Sequence, residues 1–205
     1  MKKKWIAAFV VAIATLTVSN SALAYAASSP SPSPSPTPVS VPSKTTEDLT
    51  RVVKIETKTG TAGNALIWVD RTPFELAKTQ LKEMKTFLSK KNTIANYFSD
   101  DVKKGMSALL PAETDLTKLR MSEYVALGIG DYDATMGDVS ATFQFPTAFG
   151  TNKTVIAMVG YPASDGTVIW QALKTTVVRG NLILVFPSDL MTKIGHDAIL
   201  AVLSI

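Results

Sequence analysis

No cysteine occurs anywhere in the 205 residues. This excludes disulfides, thiol nucleophiles, thiolate metal sites and the lipidated cysteine of an envelope lipoprotein, so the fold must hold by packing. Histidine is almost as scarce. His196 is the single one, beside Asp197, and no serine stands in a Gly-x-Ser-x-Gly turn for which it could act as base. A lone histidine at a strand entrance reads as a turn residue. Phosphate-binding loops are missing as well: Gly128-Ile129-Gly130 lacks the further glycine, lysine and helix start that a nucleotide site requires, and reads instead as strand-end or bulge glycines.

A basic surface is also lacking, despite an excess of cationic residues. The chain carries 21 basic and 17 acidic side chains. Lys2, Lys3 and Lys4 precede an apolar run from Trp5 to Val18, then polar Ser19, Asn20 and Ser21, then the small-residue triplets Ala22-Leu23-Ala24 and Ala24-Tyr25-Ala26. This is the layout of a signal peptide over residues 1–26, cleaved after Ala24 or Ala26. The alternative is an uncleaved anchor, which would be the chain's one contact with a membrane. Loss of the three lysines leaves 18 basic against 17 acidic groups, a net of +1. No arginine cluster interleaved with aromatics remains to track a phosphate backbone, so nucleic acid is not expected as a partner.

Residues 27–44 form a second segment, in which serine or threonine alternates with proline from Ser29 to Pro38. Proline at every second position denies the chain helix and sheet hydrogen bonds and biases it to polyproline II, a stiff spacer rising about 3.1 Å per residue. The lysine triplet and this stalk point to a bacterial envelope or extracellular protein. Residues 45–205 are then a single domain of about 160 residues, enough to bury roughly 70% of the unfolded surface without covalent staples.

Within that domain Val53, Ile55 and Thr57 alternate with Val52, Lys54 and Glu56, and the apolar run from Ala65 to Val69 is expected to pair with them as a hairpin across Gly60 and Gly63. Thr72-Pro73-Phe74-Glu75 reads as a capping box with proline at the first helical position. It opens a helix whose Phe74, Ala77, Leu81, Met84 and Leu88 share one face. Shorter helices are expected over 93–98 and 100–110. From Ser122 onward the period becomes two, with strands over 139–145, 154–159, 168–178, 182–186 and 198–203 and a short helix from Pro187. Apolar residues at every position of 155–159 and 182–186 predict strands covered on both faces. The fold class is therefore α+β: an antiparallel β-sandwich or curved sheet, with a helical element over about residues 72–110 packed against it.

Two constellations bear on function. Trp68, Tyr132, Tyr161 and Trp170 could present ring faces to a sugar, whose C–H groups pack on aromatic planes. Tryptophan in a strand is equally a core residue, and Trp170 shares its side with Val168 and Ala172. Asp131, Asp133 and Asp138 place carboxylates where calcium could be held, although glycine falls seventh rather than sixth and Thr142 occupies the twelfth place of an EF-hand count. Aspartate and glycine also serve any tight turn. No cofactor is demanded, and calcium is the one candidate. These features describe an exported, non-enzymatic protein that binds a glycan, a wall component or a surface protein. A small secreted hydrolase using carboxylates and a calcium-stabilised structural module are the alternatives.

Overall fold

Alternation over β5 (Val139–Gln144) is reproduced residue by residue: Val139, Ala141 and Phe143 are buried, whereas Ser140, Thr142 and Gln144 are half-buried. The same period, bounded by glycine and proline turns, yields nine strands and three α-helices in a computed structural model that describes residues 50–63 and 65–205. The expected signal peptide (residues 1–26) and proline-rich stalk (27–44) lie outside the described residues.

The remaining strands are β1 (Arg51–Thr57), β2 (Gly60–Ala62), β3 (Ile67–Val69), β4 (Arg120–Ile129), β6 (Val155–Pro162), β7 (Val168–Val178), β8 (Asn181–Phe186) and β9 (Asp197–Ser204). Every neighbouring pair is antiparallel, in the order β2-β1-β5-β8-β7-β6-β9-β4-β3. Of the two expected forms this is the curved sheet. It curls into a half-barrel whose ends approach each other, so that Ile55 of β1 and Ile67 of β3 join one inner core with Phe143, Val159, Leu173, Leu184 and Leu200. Helix α3 (Ser188–Ile194) packs Leu190, Met191 and Ile194 into that core.

Helices α1 (Glu75–Ser89) and α2 (Asp100–Leu109) cover part of the outer face. Met84 of α1 and Met106 of α2 are fully buried with Phe98, Ile156, Met158, Ala201 and Leu203. Each such side chain contributes about 1.5–3 kcal/mol relative to exposure. Ala77 at the start of α1 rests on Ala126 and Ile199. As a result β9 is buried on both faces from Ala198 to Ser204, an environment that suits its nearly unbroken apolar run. None of the described helices is long and apolar enough to cross a membrane.

Three local expectations are corrected. Strand β1 forms its hairpin with β2, turning at Lys58 and Thr59, whereas the run containing β3 crosses to the opposite edge and pairs with β4. Strand β8 is covered on one face only: Leu182, Leu184 and Phe186 point inward, while Ile183 and Val185 are half-exposed because the outer core is drawn from other strands. Finally, Thr72 caps nothing. Its N–H donates to Asp70 Oδ1 at 2.9 Å, so the aspartate two residues earlier makes the turn, and α1 begins at Glu75 without a side-chain cap. By contrast Ser99 does cap α2, accepting from Val102 N–H at 3.4 Å, with Asp100 and Asp101 placed favourably in the first turn.

Candidate functional site

Both strand tryptophans lie directly opposite a glycine on the next strand: Trp68 pairs with Gly128, and Trp170 with Gly160. A side chain on either glycine would collide with the indole, at Nε1, Cε2 and Cζ2 of Trp68 and at Cε3 and Cζ3 of Trp170, so each ring lies over its glycine. Both pairs belong to the outer face, because the inner core takes Leu127 and Ile129 from β4 and Val159 and Tyr161 from β6. Their surroundings differ. Phe98 meets the Trp170 ring edge-on, with centroids 5.5 Å apart, and the ring is half-buried. Trp68 belongs to the edge strand and is left 39% exposed.

Trp68, Gly128 and Asp197 stand in one row across β3, β4 and β9. Two strand spacings, about 10 Å, separate the outer members of such a row. The indole leans over the intervening glycine and shortens that gap. Gly130 is held against the preceding segment, donating its N–H to Leu66 O at 2.9 Å, and a Cβ there would strike the Ala65 carbonyl. His196 occupies the turn into β9. Its carbonyl accepts from Ile129 N–H at 2.8 Å while Nδ1 lies 3.1 Å from Ile129 O, so one residue of β4 pins both its backbone and its ring.

These residues enclose a cleft of about 780 Å³, walled by Trp68, Asp70, Gly128, Asp131, His196 and Asp197. No lysine or arginine lines it among the described residues. No family model matches this chain, and neither a curated protein nor a solved structure matches it. Function must be argued from the cleft itself. An aromatic ring with one face open, set among hydrogen-bond acceptors, can stack an apolar ring face and bind the hydroxyls or amines at its rim.

The seven residues singled out by sequence are not brought together as one site. Trp68 and Asp131 share the cleft. Tyr161 points into the inner core and offers no ring face to a ligand. Tyr132 is half-buried against the same core and donates its hydroxyl to Gly137 O at 2.7 Å. Trp170 lines a separate groove of about 570 Å³ with Gln80, Glu83 and Tyr97. There the Tyr97 hydroxyl donates to Gln80 Oε1 at 2.7 Å, and burial, with nearby Glu83, pushes its pKa up to about 12.

The acidic residues of the 131–138 loop serve different ends. Asp133 Oδ1 accepts from Thr135 N–H at 2.8 Å, a bond that holds its carboxyl below the usual range. Asp138 accepts from Ser188 N–H at 2.9 Å at the start of α3, and Asp131 faces the cleft. No group of three histidines or carboxylates converges among the described residues. Asp70, His196 and Asp197 were not expected beside Trp68. The one signal in the sequence was a pair of glycines, Gly128 and Gly130, inside an otherwise apolar strand.

Proposed function

We propose that the chain is an exported envelope or extracellular binding protein, without catalytic activity, whose domain holds a glycan or wall polysaccharide in the cleft over Trp68. The carrying observation is that indole: it lies over Gly128, remains 39% exposed, and lines one cleft with Asp70, Asp131 and Asp197. Buried tryptophans stabilise cores, whereas this one leaves a large apolar ring in water beside acceptors, which is how carbohydrate sites are built. The lysine-led apolar segment and serine-proline stalk support export and a spacer that holds the domain away from the surface.

The rival reading is hydrolysis of the bound glycan, favoured by the carboxylates of Asp131 and Asp197 lining one cleft. Titrating the purified protein with soluble wall and plant oligosaccharides, while following tryptophan fluorescence, tests binding, with product analysis on the same samples. Saturable quenching lost in Trp68→Ala, with the sugars recovered intact, supports the binding module. Shortened sugars that persist in Trp68→Ala but vanish in Asp131→Asn or Asp197→Asn would replace it with the hydrolase. Silence across the panel would move the search to protein partners.

A further inference from the structure

We infer that the cleft selects glycans bearing positive charge, namely hexosamine chains whose amines are not acylated. This rests on the glycan reading above and specifies which sugars fit. Two independent features converge on it: the open indole face of Trp68, and a wall carrying three carboxylates with no lysine or arginine among the described residues.

The charge of the cleft is local, because the segment beyond Ala26 is close to neutral overall, with 18 basic against 17 acidic groups. The ion pairs among the described residues lie elsewhere, as in Lys78 with Glu75 and Lys193 with Asp189. Neither Asp131 nor Asp197 takes part in them, and both line the cleft. A recess lined by one sign of charge concentrates ligands of the opposite sign and repels those of its own.

The row of Trp68, Gly128 and Asp197 adds direction. A pyranose stacked on the indole above the glycine carries its substituents toward Asp197. A protonated amine there gains a charge-assisted hydrogen bond, and it also interacts with the indole face by cation–π attraction. N-acetylation removes the charge and leaves the carboxylate to be desolvated without a partner. A uronate in the same place sets like charges together.

The test compares oligosaccharides of equal length at low salt: β-linked glucosamine, its fully N-acetylated form and galacturonate. The glucosamine chain is expected to bind about tenfold or more tightly than the acetylated one, galacturonate not at all. Asp197→Asn and Asp131→Asn, each checked for unchanged thermal unfolding, should erase most of that preference. Equal or tighter binding of the acetylated chain or the uronate, still dependent on Trp68, would overturn charge selection while leaving the glycan site standing. If none of the three binds while another oligosaccharide of the wider panel does, charge selection falls and the glycan site stands; if no sugar of either set binds, both proposals fall. If a lysine oligopeptide matches glucosamine with the same Trp68 dependence, the cleft reads charge without reading sugar, and the hexosamine assignment is overturned.

Discussion

Asp138 and Ser188 meet at the start of α3, the aspartate Oδ1 accepting the serine N–H at 2.9 Å across 50 positions of sequence. Neither α3 nor its flanking Pro187 supplies a side-chain cap of its own. The bond therefore satisfies an otherwise orphaned helix donor and ties α3, which closes the inner core with Leu190, Met191 and Ile194, to the end of the cleft-side loop. Asp138→Ala should cost about 1 kcal/mol, a fall of about 2–4 °C in Tm for a domain of this size. Asp138→Asn, which keeps the acceptor, should fall by less than half as much. Thermal unfolding of the two variants checks this, and equal losses would mean that charge rather than the hydrogen bond is what matters.

Glu123 is 7% exposed on β4, and its burial raises the carboxyl above the ordinary value of 4.5. The folded state therefore holds this proton more tightly than the unfolded chain. Its contribution is favourable below about 4.5 and is lost as pH rises through the elevated folded value. Glu123→Gln should raise Tm at neutral pH by a few degrees, about 2–4 °C per kcal/mol relieved. The gain should shrink toward zero as pH falls below 4.5. A gain that persists in acid would show that shape, not ionisation, is responsible.

Much of the fold was legible because its signals are local. Alternation in β5 and the three- and four-residue spacing of Ala77, Leu81 and Met84 in α1 each involve residues within a few positions of one another. Pairing is not local. Nothing near β3 states that it crosses to β4 rather than closing on β1, and nothing near β9 states that it sits between β6 and β4. Thr72 shows how a local pattern misleads: it matches a capping box, yet Asp70 competes for its N–H and wins. The site fared worse than the fold, since Asp197 reaches Trp68 only through two intervening strand pairings. Tyr161 resembles Trp68 in composition terms, and only the direction of its side chain from β6 separates a core residue from a binding one.

Tyr97 should ionise well above the usual tyrosine range. Its pKa of about 12 comes first from burial and then from the charge of Glu83. Because the folded value exceeds the ordinary tyrosine value of 10.0, stability is retained below 10 and lost as pH rises toward 12. Tyrosinate absorbance followed against pH should show this group titrating together with alkaline unfolding. Tyr97→Phe removes the bond to Gln80 Oε1 and should cost about 0.5–1.5 kcal/mol, with the alkaline limit moving to higher pH.

Calcium is expected to leave thermal unfolding unchanged. Asp133 is engaged by Thr135 and Asp138 by Ser188, which leaves Asp131 to face the cleft without them. A site occupied at ten times its Kd would add about 1.4 kcal/mol, a rise of about 3–5 °C. Scans in millimolar calcium and in EDTA decide the matter. A rise of that size, abolished in Asp131→Ala and in Asp133→Ala, would restore the loop as an ion site and displace the turn-and-cap account.

The two tryptophan–glycine pairs should respond in opposite ways to the same methyl group. In Gly128→Ala the new Cβ occupies the space of the Trp68 indole, which lies on an edge strand, is 39% exposed, and can swing aside. The cost in stability should be at the low end of the 1–3 kcal/mol typical of overpacking, because the ring has somewhere to go. Binding should fail as completely as in Trp68→Ala, since the stacking face is lost with the ring's position. In Gly160→Ala the Cβ comes within 2.9 Å of Val168 Cγ1 and 3.0 Å of Trp170, whose ring Phe98 holds in place. Strain is harder to relieve there than at the exposed edge, so Tm should fall further while glycan binding survives in the fraction that remains folded. Parallel titrations and melts of both variants distinguish them. Wild-type affinity in Gly128→Ala would mean that the indole over the glycine is not the surface on which a sugar rests.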